Sequence, residues 1–380
     1  MQKQYLTRPN PRRRLGCAKF NTICTPDSQI NRIRGSNEGA HFLRALPSSP
    51  NGVFTIAMDG FADFTTSVVS TRQHTLAGPI NCVGVGLHSG TRVNLSMAPA
   101  PADTGIVFRR TDLGIDLPAR FDQVGDTRLC TVLTAGDARI GTVEHVMAAL
   151  AGCGIDNAVV GVDGPEVPVF DGSAAPFTFL IDCAGRREQS APRRVIEIIE
   201  KIRVTDGEAF AEFRPHQSTP ANGSIAQAQL DMALSIDFTA QAIGRQALSL
   251  TLTEQSFRSQ LERARTFTLR AEIEALRAQG LALGGTLDNA VVVDGAQVLN
   301  PAGLRMKDEF VRHKLLDAVG DLALAGMVIH GRFVAHRTGH ALNNKLLRAL
   351  FAAPAAFRTL SLSMPQSSWF APLTGQAAAD

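Results

Sequence analysis

Residues 308–321 contain the spacing in this sequence that is best suited to chemistry. His313, Asp317 and Asp321 follow one another at intervals of four residues, which on an α-helix places all three on one stripe of the surface. An imidazole and a carboxylate one helical turn apart can bind the same metal ion. A solvated His–Asp pair has the same spacing, so the pattern alone leaves both interpretations open.

A second chemical pattern is the pair Glu144-His145, at the start of a helix predicted over residues 142–150. The rest of that segment is small and apolar, where two ionisable groups are unfavourable unless they face a cleft or a ligand. A carboxylate next to a metal-binding histidine can act as a general base towards a metal-activated water. The alternative is an exposed pair in the first turn, with Glu144 stabilised by the helix dipole.

A third polar segment, residues 336–345, contains His340. Gly339 permits a turn in front of a helix predicted over residues 343–352. A histidine on such a turn can serve as a general acid, or it can be a loop histidine with a structural role.

Two other features are given no catalytic role. Cys130 is interpreted as part of the core or of a cleft wall, and the glycines of residues 84–90 lack the Lys-Ser/Thr of a phosphate-binding P-loop.

The composition is that of a folded protein with two or three domains. The chain has 380 residues, 44% hydrophobic and 19% charged, which is too apolar for a disordered chain. No apolar run is long enough to cross a bilayer. The six cysteines include no CxxC pair, which argues against a zinc ribbon or a disulfide framework and favours a reducing compartment.

Positive charge is concentrated at the start of the chain. Residues 1–57 contain nine Lys/Arg and two acids, whereas the remainder is mildly acidic, which argues against a nucleic-acid partner. Three interpretations of this leader are open: an organelle transit peptide, a disordered tail, or upstream sequence in front of a true initiator at Met58. We favour the last two, since the segment has neither an amphipathic stripe nor a secretion signal.

The elements that must position these residues are predicted from periodicity to be mixed strands and helices. Their segregated order indicates an α+β fold rather than a Rossmann alternation. The polar, basic segment 185–194 is the expected domain boundary, and residues 215–229 are an expected loop. Strands are predicted over 93–97, 158–162, 195–204, 209–213 and 290–293, and helices over 254–265, 270–279 and 307–325.

Taken together, these segments resemble the zinc-dependent UDP-3-O-acyl-N-acetylglucosamine deacetylase family, which acts at the committed step of lipid A synthesis in Gram-negative bacteria. The resemblance runs from about residue 72 to residue 353. The matching segments are residues 84–90, 142–145, 154–157, 162–174, 263–267, 280–289, 308–321 and 339–347. So many motifs in one order make the resemblance highly specific.

The resemblance implies roles for residues at the matching positions. His145, His313 and Asp317 would bind one zinc ion per chain and leave one position for water. Glu144 would be the general base. His340 would act at the leaving amine. The other implied residues are Asp321, which would orient that histidine, Thr266 at the oxyanion, and the substrate-binding residues Phe267, Lys314, His88 and Arg214.

The resemblance also implies an architecture. Two α+β domains of similar topology would pack through their helices as a β-α-α-β sandwich, with the active site between them. A βαβ unit inserted at about residues 268–297 would form the passage for the acyl chain. The expected divisions are a leader over 1–70, domains over 71–190 and 191–370, and a tail over 371–380.

The sequence departs from the family pattern at several positions. The leader has no counterpart, residues 217–229 resemble an insertion, and Arg214 stands where the family often has Lys. At the entrance of the insert, Thr268, Arg270 and Ala271 differ from the usual pattern. These differences bear on chain-length preference and nucleotide affinity rather than on the reaction.

The expected protein is a cytoplasmic monomer that acts on an acylated UDP-sugar, with no nucleic-acid partner and no membrane span. Two other functions remain as hypotheses. One is a sugar-nucleotide binding protein that uses zinc structurally. The other is a zinc peptidase, although the sequence contains no HExxH.

Overall fold

The computed structural model describes residues 70–216 and 228–362, and these residues belong to one unit of the chain. The interpretations of the leader and of the tail, and most of the loop expected over 215–229, lie outside the described residues. Among the described residues, no helix has the length and apolar character needed to cross a membrane.

The first half of the described chain builds a five-stranded sheet beside a buried helix. The sheet has the order β2-β3-β9-β4-β5, with only β4 and β9 parallel. The elements of this half are β1 (Arg72–Leu76), β2 (Ile80–Val85), β3 (Arg92–Pro99), β4 (Ile106–Arg110), β5 (Ile115–Pro118), β6 (Val124–Asp126), β7 (Val132–Ala135), β8 (Ala138–Ile140), α1 (Glu144–Gly152), β9 (Ala158–Val162), α2 (Ala175–Ala184) and β10 (Arg186–Pro192).

The second half builds a seven-stranded sheet around β19, which pairs with β11, β13 and β14. Strand β14 shows the alternation of a half-buried strand, since every second side chain faces the core. The elements are β11 (Arg194–Ile198), β12 (Ile202–Asp206), β13 (Ala209–Arg214), β14 (Leu230–Asp237), β15 (Arg245–Leu252), α3 (Glu254–Ser256), β16 (Phe267–Leu269), α4 (Arg270–Ala278), β17 (Val291–Asp294), β18 (Gln297–Val298), α5 (Glu309–Ala323), β19 (Val328–His336), α6 (His340–Phe351) and β20 (Phe357–Ser361).

These sheets and helices confirm the expected α+β fold. The expected insert is also present as a βαβ unit, because β16 and β17 pair in parallel on either side of α4. The division of the chain at residues 185–194 stays a prediction. That segment is a strand rather than an open linker, since β10 pairs antiparallel with β1.

Three sequence predictions were wrong in local detail. The strand expected over 195–204 is two strands, because the backbone N–H groups of Ile199 and Glu200 turn to the carbonyl of Ala356. The helix expected over 254–265 is the short α3 and a π-helical turn, Phe257–Leu261. It ends there because the backbone N–H of Arg265 donates to the carboxylate of Glu309.

The third correction concerns the turn before α6. Gly339 has an extended backbone with φ −153° and does not need to be glycine, and His340 is the first residue of the helix rather than a residue before it. The left-handed conformation in this segment belongs to Arg337, at φ 54°.

Helices α1 and α5 cross at Gly320, and this crossing positions the candidate site. A Cβ atom at Gly320 would lie 1.9 Å from the carbonyl oxygen of Glu144. Only a glycine lets the two backbones approach so closely. Eight of the nine residues of α1 are buried, so the helix cannot shift away without disturbing the core.

We predict that Gly320→Ala separates α1 from α5 and lowers the free energy of unfolding by about 1–3 kcal/mol, the usual effect of overpacking. Urea denaturation measures this change. Gly78→Ala is the matched control, because a Cβ atom there would have no neighbour within 4 Å. Equal stability of the two variants would contradict the crossing constraint.

Candidate metal centre and active site

Three buried side chains from two helices form the centre of the candidate site. Each of His145, His313 and Asp317 offers one ligand atom, and these atoms lie within 4.8 Å of one another. Oδ1 of Asp317 is 3.3 Å from Nε2 of His313 and 3.5 Å from Nε2 of His145. The stripe predicted on α5 therefore supplies two members, and α1 supplies the third.

Neighbouring groups orient two of these side chains towards a common point. The ring N–H at Nδ1 of His313 donates to the carbonyl of Ala264 at 3.0 Å, which leaves Nε2 free to act as a ligand. Lys314 donates to Oδ2 of Asp317 at 2.9 Å. The other oxygen, Oδ1, is buried and has no hydrogen-bond partner within the residues that the structure describes.

This arrangement fits a bound metal ion. Ligand atoms about 2.0–2.1 Å from a tetrahedral zinc are separated by about 3.3 Å, and the two separations from Oδ1 of Asp317 are close to that value. A buried carboxylate oxygen without a partner is otherwise unfavourable. Two imidazoles and one carboxylate are also a donor set found at catalytic zinc sites.

The protonation of the three side chains reflects their burial and mutual contacts. Burial lowers the pKa of His313 to about 4. Burial alone would raise the pKa of Asp317, but the His313 ring and the Lys314 ammonium hold it well below its usual range. Burial would lower the pKa of His145, but the carboxylate of Asp317, 3.5 Å from its Nε2, and the charge of Glu144 outweigh burial and raise it. A metal ion would therefore compete with a proton for the ring of His145.

Glu144 lies beside this centre on the first turn of α1 and is 3% exposed. Its Oε2 accepts the backbone N–H of Thr131 at 3.0 Å, and its Oε1 is 3.8 Å from Nε2 of His340. Burial raises the pKa of Glu144, although the nearby rings of His340 and His145 oppose the shift. The carboxylate is therefore suited to receive a proton.

His340 is held opposite Glu144 by the carboxylate of Asp321. Its Nδ1–H donates to Oδ2 of Asp321 at 2.9 Å, which leaves Nε2 facing Glu144. Asn343 and Thr131 donate to the same carboxylate at 2.9 and 2.6 Å. Burial would lower the pKa of His340, but the carboxylates of Asp321 and Glu144 raise it to about 9. The imidazolium is thus present at neutral pH and can donate a proton.

Phe267 begins β16, the strand that opens the insert, and Thr266 precedes it in the chain. The Phe267 ring lies 5.0 Å from that of Phe310 and 6.2 Å from that of His313, both edge-to-face. The backbone of Thr266 donates to the carbonyl of Gly172 and accepts from Val291. These contacts fix the segment next to the ligand helix.

A buried ion pair anchors the same segment to the start of α5. Glu309 is fully buried, and Oε1 accepts from both the guanidinium and the backbone N–H of Arg265, at 2.8 and 3.0 Å. Oε2 accepts the backbone N–H of Arg305 at 2.7 Å. Because Arg265 is adjacent to Thr266, Glu309 fixes the position of that threonine relative to α5.

His88 is connected to the site through Glu166. The buried carboxylate of Glu166 accepts the backbone N–H groups of His88 and Ser89, each at 2.8 Å, and the hydroxyl of Thr142 at 3.0 Å. Thr142, two residues before Glu144, has a left-handed backbone at φ 58°, which is strained for a β-branched residue. Burial lowers the pKa of His88.

The remaining two predicted binding residues are engaged in ion pairs. Lys314 pairs with Asp317, one of the three candidate metal ligands His145, His313 and Asp317, which are called the ligand set below. Arg214 lies at the end of β13, where its guanidinium pairs with the buried Glu212. The described contacts of Arg214 do not include a member of the ligand set, so its role in binding stays a prediction.

Sequence reasoning missed several residues of this network. Glu309 continues the four-residue stripe in front of His313, so the spacing could have revealed it. Thr131, Asn343 and Glu166 carry no such signal, because each contacts the site through tertiary packing. Their roles are visible only once α1, α5 and α6 are placed together.

Comparison with known proteins relates this chain to one group of proteins. The model of a family described as LpxC: UDP-3-O-acyl N-acetylglycosamine deacetylase matches residues 73–352. A protein from Anaeromyxobacter sp. (strain Fw109-5), named UDP-3-O-acyl-N-acetylglucosamine deacetylase, is 48% identical over 291 residues, 77% of this chain and 92% of that protein.

Two further proteins with the same name show similar agreement. One from Shewanella oneidensis is 48% identical over 292 residues, 76% of this chain and 92% of that protein. One from Idiomarina loihiensis is 46% identical over 300 residues, 78% of this chain and 95% of that protein. The similarity therefore extends over nearly the full length of these relatives.

We predict that Glu309→Gln lowers the free energy of unfolding by about 3–5 kcal/mol, because it leaves the Arg265 guanidinium buried without a counter-charge. Asp294→Asn is the matched control, since it removes a carboxylate from the exposed pair with Arg270 and should change stability by at most about 1 kcal/mol. Urea denaturation compares the two variants. Equal losses would contradict the anchoring role of Glu309.

Proposed function

The chain belongs to the UDP-3-O-acyl N-acetylglycosamine deacetylase family, and from that membership we propose its substrate and reaction. It hydrolyses the N-acetyl group of UDP-3-O-[(3R)-3-hydroxyacyl]-N-acetylglucosamine to give UDP-3-O-acyl-glucosamine and acetate, the committed step of lipid A biosynthesis. The observation that carries this proposal is the pair Glu144 and His340 facing each other beside the buried His-His-Asp group.

The metal that we propose is one zinc ion per chain, held by His145, His313 and Asp317. When bound, zinc supplies a Lewis acid that polarises the amide carbonyl and lowers the pKa of a water molecule. The donor set and the unpartnered Oδ1 of Asp317 support this assignment. Lys314 and the carbonyl of Ala264 keep the ligand atoms oriented.

Glu144 is the proposed general base. Its carboxylate is held at Oε2 by the backbone of Thr131, so Oε1 is the atom that can take the proton of the attacking water. Burial raises its pKa towards the range in which a carboxylate is an effective base at neutral pH. Glu144 and the proposed ligand His145 are consecutive residues of α1. The same helix therefore places both next to the proposed metal.

His340 is the proposed general acid. An acetamide has a poor leaving group, so the departing amine must be protonated. The imidazolium of His340 carries that proton on Nε2, while Asp321 holds Nδ1. Thr266 donates to the developing oxyanion, a contribution usually of a few kcal/mol per donor.

The proposed substrate contacts follow the same arrangement. Phe267 packs against the sugar, and Lys314 binds near the polar groups and phosphates. His88 lies along the same cleft, and Arg214 is a further substrate-binding residue. The βαβ insert holds the acyl chain, and its helix α4 has no buried residue, so its apolar side chains remain available to a ligand. We further propose that the protein acts as a monomer in the cytoplasm.

We predict that purified protein contains about one zinc ion per chain after dialysis, measured by plasma mass spectrometry. His313→Ala should lose most of the ion, since it removes one of three ligands. His336→Ala is the matched control, because its ring bonds to Ser235 outside the site. Full zinc content in His313→Ala, or another metal in the wild-type protein, would contradict the assignment.

We predict that Glu144→Ala keeps its metal but loses turnover by about 10²–10⁴-fold, the usual contribution of a general base. The assay is acetate release from UDP-3-O-(3-hydroxyacyl)-N-acetylglucosamine, before and after chelation and with zinc restored. Glu188→Ala, which changes an exposed carboxylate, should behave as the wild type does. Parallel loss of metal and activity in Glu144→Ala would indicate a structural role instead.

A further inference from the structure

Thr131 occupies a position between the two halves of the proposed proton-transfer machinery. It lies immediately before β7 and is 1% exposed. Its backbone N–H donates to Oε2 of Glu144 at 3.0 Å, and its hydroxyl donates to Oδ1 of Asp321 at 2.6 Å. One residue therefore contacts a carboxylate of α1 and a carboxylate of α5.

The direction of the hydroxyl bond is fixed by its partner. The hydroxyl donates to Oδ1 of Asp321, because a carboxylate oxygen is an acceptor, and hydrogen bonds to carboxylates are short and strong. Asp321 also accepts from Asn343 at Oδ2, and from His340 chiefly at Oδ2 and more weakly at Oδ1. Thr131 is thus the short, strong donor at Oδ1, and it keeps Oδ2 as the closer acceptor of the imidazole N–H.

The geometry explains what would change without this hydroxyl. Nδ1 of His340 lies 2.9 Å from Oδ2 of Asp321 but also 3.2 Å from Oδ1. The ring N–H is thus shared unequally, with Oδ2 as the closer acceptor. Without the Thr131 hydroxyl, Oδ1 loses its short donor, and the carboxylate can rotate to bring Oδ1 closer to the ring N–H. The imidazole would then turn, and its Nε2 would move relative to Oε1 of Glu144, which is now 3.8 Å away.

We propose that Thr131 is a positioning residue of the deacetylation reaction. Its hydroxyl sets the orientation of His340 through Asp321. Its backbone N–H holds the carboxylate of Glu144 so that Oε1 faces the His340 ring. Its carbonyl also accepts the backbone N–H of Val143, the residue before α1, at 3.3 Å. Its hydroxyl acts on the site through Asp321 alone. This inference rests on the proposed function, because it needs Glu144 and His340 to exchange protons with the substrate.

The test is a set of variants that change the hydroxyl alone. Thr131→Val keeps the shape of the side chain without the hydroxyl, Thr131→Ala removes it without added apolar contact, and Thr131→Ser restores it. We expect kcat to fall about tenfold or more in the valine and alanine variants, as for other residues that orient an active-site group. KM and zinc content should stay near wild-type values, and serine should recover most of kcat.

Thr75→Val is the matched control for general loss of a buried hydroxyl. Thr75 is fully buried, and its hydroxyl donates to the carbonyl of Asn157 at 2.7 Å, within the first half of the fold. This variant should lose stability but keep kcat. A purely structural role of Thr131 would make the two valine variants alike.

A double-mutant cycle with His340→Ala separates action through His340 from a general effect. Once the imidazole is absent, Thr131→Val should change the residual kcat by less than about twofold, since there is no ring left to orient. An undiminished, multiplicative effect in the His340→Ala protein would overturn the inference, as would wild-type kcat in both Thr131→Val and Thr131→Ala.

The same cycle distinguishes failure of the inference from failure of the proposed function. If His340→Ala turns over substrate at the wild-type rate, the acid assignment fails and the inference fails with it. If His340→Ala is impaired while the Thr131 variants are not, only the inference fails.

Discussion

The close approach of α1 and α5 is the constraint on which the site depends. At Gly320 the two backbones meet without an intervening side chain, and this contact places Glu144 and His145 opposite the stripe of α5. A wider separation would move His145 away from Oδ1 of Asp317, where the two now lie 3.5 Å apart. Because eight of the nine residues of α1 are buried, the two helices cannot move apart without disturbing the core.

The site concentrates ionisable groups where water has been excluded. Such groups are stable only when each meets a donor, an acceptor or a cation. Asp321 achieves this with three protein donors. Asp317 has Lys314 on one oxygen and leaves the other to the metal that we propose. Neighbouring carboxylates on one helix thus serve different purposes because their partners differ.

Local sequence patterns predicted the elements well where one face of a segment is buried. The helix expected over 307–325 is α5, Glu309–Ala323, and the strand expected over 158–162 is β9, Ala158–Val162. The predicted ends of elements were wrong where an acceptor from a distant part of the chain bonds to backbone N–H groups. Glu309 does so at Arg265, and the carbonyl of Ala356 does so at Ile199. No local pattern encodes such contacts, because the partners are far apart in the chain.

Within the site, residues with a recognisable spacing or a family motif were predictable from the sequence, and residues held only by tertiary contacts were not. The four-residue spacing marked His313 and Asp317, and the resemblance to a known family added His145. Thr131 could not be found in this way, since a lone threonine before a strand has no distinguishing spacing. The role that we propose for Thr131 depends on its hydrogen bond to Asp321, which is 190 residues away in the chain.

The distance in sequence between His145 and His313 affects how the protein folds. His313 and Asp317 become neighbours as soon as α5 forms, but His145 joins them only after the chain has closed a loop of well over a hundred residues, which is entropically unfavourable and slow. Unlike a zinc finger, whose nearby ligands let the metal drive folding, this chain must first pack α1 against α5. We therefore expect loading of the metal that we propose to be a late event of biogenesis, with a time course that follows the formation of this helix contact.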